Sequence, residues 1–130
     1  MTNREIIEKW SAIQYLKGCG VALNEKINYA RFRNEKTLKP LIESYEETRV
    51  AVIENHCSLS TIEEEARKGI YAIPIKGTDE RAKYEAALKS LDQIEVLDES
   101  AFHWIAYTDV KSMADTDPML FSSLMEIVKE

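Results

Sequence analysis

Six side chains between positions 29 and 36 are of the kinds that hold a nucleotide. Tyr29 and Phe32 offer aromatic surfaces for stacking a base, Arg31, Arg33 and Lys36 offer cations for phosphate, and Asn34 offers an amide. On a helix turning ~100° per residue, Tyr29, Arg33 and Lys36 share one face, while Arg31 and Phe32 lie elsewhere. A pocket using all of them therefore needs a second subunit to complete it. A basic, solvated half-helix is the plainer account of the same charges. Farther along, Arg49 flanks the same edge of the helix as Arg31, as a rim charge or an anion contact. Tyr29, Arg31, Arg33, Asn34, Lys36 and Arg49 are the candidate ligand-binding residues.

The residue types for nucleophilic or metal chemistry are Cys19, His56, Cys57 and His103. Adjacent His56 and Cys57 diverge on a helix, and no spacing among the four matches a zinc motif. Neither cysteine has the elbow or oxyanion-loop context of a catalytic nucleophile. The carboxylates Glu63, Glu64, Glu65, Asp98 and Glu99 read as solvated charge runs, and no glycine-rich phosphate loop is present. Gly18-Cys19-Gly20 makes a better turn than an anion site. The expectation is a protein that is not an enzyme, with no catalytic residues, metal or cofactor.

The element that positions these candidates is a long amphipathic stretch from Leu23 to Asn55. Leu23, Ile27, Ala30, Asn34, Leu38, Leu41, Tyr45, Thr48 and Val52 fall in one narrow stripe at helical spacing. Such a seam needs a partner helix, from this chain or from another copy. Ile27, Ala30, Leu38, Leu41, Tyr45 and Val52 are its expected interface residues. Asn34 interrupts the stripe as a residue that sets register between helices, or alternatively as a ligand contact. Pro40 removes one backbone hydrogen bond, which predicts a kinked but continuous helix, or two helices with Pro40 opening the second. The first half of the stretch is basic and the second acidic, the pattern of a dipolar rod or of a solvated face.

Before this stretch, Thr2 and Glu5 have capping-box spacing, predicting a helix from about Asn3 to Lys17 that ends at Gly18-Cys19-Gly20. So short a link folds two helices back as an antiparallel hairpin. Beyond Cys57 a smaller mixed region follows. Thr61 and Glu64 are spaced to cap a short helix, Ile70–Ile75 reads as an edge strand cut by Pro74, and Thr78 or Asp79 starts a helix through Tyr84 and Leu91. Residues 93–97 and 101–110 read as strands. Asp117-Pro118 opens a last helix with Met119, Leu120, Leu124, Ile127 and Val128 on its apolar face. The expected fold is α+β, mostly α. It is a single domain over 1–130, with a helical hairpin over 1–57 and a small α+β subregion over 58–130.

Composition narrows the function. The chain has 130 residues, 45% hydrophobic and 31% charged, with a formal net charge of -6. An acidic chain gains nothing overall from neutralising phosphates, so generic nucleic-acid binding is disfavoured. No apolar run is long enough to span a bilayer, and the opening residues have no signal-peptide core. A cytoplasmic protein without membrane contact is expected, with Cys19 and Cys57 reduced.

The pattern Leu23-x3-Ile27-x-Tyr29-Ala30-Arg31-x2-Asn34-x3-Leu38, then Glu43-x-Tyr45-x3-Arg49-x3-Ile53, resembles small accessory proteins of tailed phages of low-GC Gram-positive bacteria. Tyr84-Glu85 to Leu91, Ile94-Glu95-Val96 and the closing Leu124-Met125-x-Ile127-Val128 extend the resemblance over most of the chain. Pro40 departs from the uninterrupted helix expected there. The resemblance implies no catalytic residues. It implies a small accessory phage protein, of a kind that more often binds than transforms; with the unpartnered seam, the expectation is a self-associating binding protein in the host cytoplasm, in a counter-defence role. Its partners would be itself and either a host defence protein or a small nucleotide signal sequestered between subunits. The alternative is a virion-assembly chaperone or structural adaptor.

Overall fold

The side chains of the first turn fix where the chain becomes helical. In the computed structural model, which describes residues 1–129, Thr2 accepts from the Glu5 amide while the Glu5 carboxylate accepts from the Thr2 amide, completing a capping box. Helix α1 runs Asn3–Gly18, and Gly20 follows at φ 72°, a conformation glycine adopts without strain. Asn24 then accepts from the Ile27 amide at 2.9 Å and caps α2, which runs Glu25–His56. Asn24 therefore moves the start of this helix two residues beyond Leu23. Pro40 lies inside α2, and the helix continues through it.

A two-stranded antiparallel sheet, a short helix and a longer one follow. Strand β1 (Ser58–Leu59) pairs with β2 (Tyr71–Ala72), with α3 (Glu63–Arg67) between them and α4 (Asp79–Asp92) after them. Thr78 caps α4 as expected, accepting from the Arg81 amide. The cap of α3 differs from expectation. Ile62 holds the N-cap position with no side-chain cap bond, and Ser60 turns the chain just before it by accepting from the Ile62 amide and donating to Glu65 at 2.8 Å. Helix α5 runs Pro118–Met125, with Asp117 as its cap and Pro118 at its first position. The architecture is mostly helical, with an N-terminal helix hairpin, a small antiparallel sheet and a C-terminal helix.

The strands expected at 70–75, 93–97 and 101–110 shrink or disappear. Only Tyr71 and Ala72 pair within the first, and the other two are reduced to the isolated bridges Thr2–Glu95 and Ile105–Val128. Local side-chain hydrogen bonds explain the loss across 98–110. Asp98 accepts from the Ser100 amide and Asp109 from the Ala106 amide, bending the backbone into 3₁₀ turns at Glu99–Ala101 and Tyr107–Asp109. Ile127 and Val128 lie beyond the end of α5 and are nonetheless buried.

The residues group into two compact units, Met1–Ile42 with Glu95–Glu130, and Glu43–Ile94. The first holds the main core. Ile6, Ile13 and Leu16 of α1 and Ile27, Ala30 and Leu38 of α2 pack with Phe102, Ile105, Val110, Leu120, Leu124 and Ile127. In the second, Tyr84 and Leu91 of α4 are the buried apolar residues.

Asn34 sits within the first core with no exposed surface. Its Oδ1 accepts from the His103 amide at 2.7 Å, and its Nδ2 donates to the His103 carbonyl at 2.9 Å. One side chain thus satisfies both backbone groups of a residue outside any helix or strand, as a sheet neighbour would. Both polar groups of the Asn34 side chain are thus engaged by His103 inside the chain. An Asn34→Leu substitution keeps the side chain's branching and number of heavy atoms and leaves the His103 amide and carbonyl unpaired. Urea denaturation is expected to show a loss of about 2–4 kcal/mol, against under about 0.5 kcal/mol for exposed Arg33→Ala.

Candidate functional site

The clamp from Asn34 holds His103 beside Tyr29, and these two residues begin a concavity. Tyr29, in the second turn of α2, is half exposed and meets the His103 ring edge-on, with centroids 5.0 Å apart and planes at 77°. Trp104 follows His103, and its indole is fixed by donation from Nε1 to the Glu99 carbonyl at 3.1 Å. Ile105 is pinned on both sides. Its amide donates to the Ile127 carbonyl, and its carbonyl accepts from the Lys129 amide. The wall is therefore held by backbone and side-chain bonds from three directions.

The concavity measures about 460 Å³, within the range of small-ligand sites. Its rim is charged. Lys26 reaches Asp109 at 3.3 Å, with Lys26 largely in solvent and Asp109 mostly covered. Asp109 Oδ2 accepts from the Ala106 amide, so this carboxylate also shapes the turn beneath it. Glu25 lines the same rim, is exposed, and makes no ion pair among the described residues. The result is an aromatic wall under a rim of two carboxylates and one lysine.

The six residues expected to bind ligand are dispersed. Of them, Tyr29 lines this concavity, and Asn34 acts behind its wall. Arg31 folds over Phe32, its guanidinium carbon 4.4 Å from the ring centroid, and its buried Nε has no hydrogen-bond partner among the described residues. Arg33 is exposed on α2. Lys36 lines a smaller hollow with Lys17, Phe32, Glu35 and Lys39, where Lys17 and Glu35 pair at 3.0 Å. Arg49 belongs to the second unit. There it lies near Glu46 and lines a groove with Val50, Ile53, Cys57, Tyr71 and Tyr84.

The expected interface residues divide in the same way. Ile27, Ala30 and Leu38 are fully buried in the chain's own core, so they have no surface to give a second copy. The first half of the seam, Ile27 to Leu38, shares one core cluster with residues of α1, α5 and the turns of 98–113. Leu41 is half-buried against that core. Tyr45 and Val52 are half-buried in the second unit, while Thr48 is exposed and donates to the Ser44 carbonyl.

His103, Trp104, Glu25, Lys26 and Asp109 were not among the expected site residues. The cluster Phe102-His103-Trp104 is the available signal, and its aromatic residues with Ile105 and Tyr107 read as strand. Nothing in the sequence marked Glu25, Lys26 or Asp109.

The reactive side chains are separated between the units. Cys57 and His56 lie in the second, Cys19 and His103 in the first. Burial pushes the Cys57 thiol above its ordinary range, with Arg81 opposing. That is the direction away from an activated nucleophile. Among the described residues no group of three His, Cys, Asp or Glu is placed to hold a metal ion, and no helix is long and apolar enough to cross a membrane. Compared with protein-family models, curated proteins and solved structures, the chain matches none.

Tyr45 donates its hydroxyl to Asp92 at 2.7 Å. Burial, then this bond and the Asp92 charge, push its phenol up to about 12 from an ordinary 10.0. The folded state therefore keeps a proton that the unfolded chain loses. The stabilisation is complete below pH 10 and falls as pH rises toward about 12. Tyr45→Phe should remove that part of the decline. Denaturation of both proteins across this window checks it: the wild-type advantage should shrink with rising pH, and an advantage independent of pH would contradict the assignment.

Proposed function

We propose that the protein works by association: a phage-type accessory protein that pairs with a second copy and, in that form, binds and blocks a host defence protein. The carrying observation is the apolar surface of the second unit. Ile62, Ile70, Ile73 and Ile75 are 58%, 44%, 57% and 78% exposed. Leu59, also half exposed, pairs in the two-stranded sheet with Tyr71, which stands between Ile70 and Ile73 in the chain. Single exposed apolar residues are ordinary, but a run of isoleucines within fourteen or so positions is the kind of surface that partners cover.

The local backbone supports the same reading. Each strand has one paired edge, and the sheet has no third strand among the described residues. Free strand edges are templates for pairing with another chain. The edge is limited, because the Pro74 carbonyl is taken by Arg81 and the Ile75 carbonyl by Thr78. Side-chain burial is thus the main driving force, at roughly 25 cal/mol per Å² of apolar surface covered. A twofold arrangement lets one patch serve both partners.

The nucleotide-sequestering version has less support. Within the first unit the expected cations are not gathered: Arg31 lies against Phe32, Arg33 is in solvent and Lys36 lines a different hollow from Tyr29. The counter-defence role rests on the phage-type sequence pattern, and the protein-blocking version of it suits an apolar docking face.

Light scattering tests the association. The expected mass is about twice the single-chain 14.9 kDa at high micromolar concentration. The double substitution Ile73→Asp with Ile75→Asp should return it to one chain, and both positions are exposed enough to leave folding intact. A wild-type protein that stays at one chain across the full concentration range would overturn the proposal.

A further inference from the structure

The concavity of the first unit carries a ligand assignment of its own, independent of self-association. We infer that it binds the guanidinium group of an arginine side chain, presented by a partner polypeptide.

Four observations lead there. First, the wall is aromatic: Tyr29 and His103 meet edge-on, and Trp104 stands next to them. Aromatic faces attract cations through their quadrupoles, and a planar guanidinium also stacks. Second, the rim holds two carboxylates against one lysine, and Glu25 is unpaired among the described residues. A guanidinium stacked on the wall needs an acceptor at its edge, and Glu25 supplies one. Third, the Trp104 ring already takes a cation outside the concavity. The Lys9 ammonium lies 5.4 Å from the Trp104 ring centroid while pairing with Glu126 at 2.7 Å, and Lys9 is not among the residues lining the concavity. Fourth, the site is built before ligand arrives. Asn34 fixes His103, Glu99 fixes the Trp104 indole, and backbone bonds hold Ile105. A preformed wall lowers the ordering cost of binding.

The competing chemistries fit less well. A phosphate meets Lys26 alone, and Asp109 already neutralises it. A neutral base gains the stacking but leaves Glu25 without a charge to meet. The overall charge of -6 draws cations toward the surface. An arginine also suits the setting better than a lysine, because guanidinium is more weakly hydrated and more easily moved against apolar rings.

The test is an NMR titration of the full chain with N-acetyl-L-arginine methylamide, beside its uncharged citrulline counterpart. The expected result is saturable shifts of the His103 ring and Trp104 indole signals, with the arginine compound binding about tenfold more tightly than the citrulline one. Glu25→Gln and Tyr29→Ala should each weaken arginine binding several-fold. Both residues are exposed, so their loss leaves the core untouched. The Ile73→Asp, Ile75→Asp protein should bind arginine as the wild type does, which separates this site from the association surface. Equal binding of citrulline, no saturable shift, or affinity unaltered in both Glu25→Gln and Tyr29→Ala would overturn the assignment.

Discussion

Two hydrogen bonds from one buried amide decide how the first unit is built. The segment 102–105 has neither helix nor strand to satisfy its backbone, yet Phe102 and Ile105 must be buried. Asn34 resolves the conflict at His103 by accepting from its amide and donating to its carbonyl. Phe102 and Ile105 can then enter the core while His103 and Trp104 turn outward to form a wall. Replacing both polar partners by apolar groups would remove the need for the bonds, but the backbone cannot be replaced. That makes the asymmetry at this position severe, since loss of the amide strands two buried backbone groups.

The same constraint connects folding to function. A wall of exposed aromatic rings is costly unless something holds it open, because rings left free collapse onto one another or into the core. Here His103 is held from behind, the Trp104 indole by the Glu99 carbonyl, and Tyr29 by its place on α2. The polar interaction in the core is therefore the reason a concavity exists at the surface. The second unit solves a different problem. Its buried apolar residues are few, Tyr45 and Asp92 add a hydrogen bond, and several isoleucines remain outside. Under the association proposed above, a second copy would cover them.

Helices and their caps were readable because their signals are local. Thr2 with Glu5, Thr78, and Asp117-Pro118 each act within a turn, so spacing alone located the starts of α1, α4 and α5. The stripe through Ile27, Ala30, Asn34 and Leu38 was also legible, since burial follows helical period. The identity of its partner was not. Periodicity shows that a face is buried and is silent on whether the same chain or another buries it. The strands failed for a related reason. Aromatic and β-branched residues are dense at 101–110, but Asp98 and Asp109 bond to nearby amides and turn the chain before a ladder forms. The site was half visible: Tyr29 was named, whereas His103, Trp104 and Asp109 join it only through contacts spanning more than seventy positions.

Amide hydrogen exchange at His103 reports most directly on the central interaction. If Asn34 closes this part of the core, the His103 amide should exchange as slowly as the Ile105 amide, which is bonded to the Ile127 carbonyl, and far below the rate of an unstructured chain. A His103 amide that exchanges at the unstructured rate while Ile105 stays protected would contradict the account, because His103 would then lack the clamp that places it in the wall.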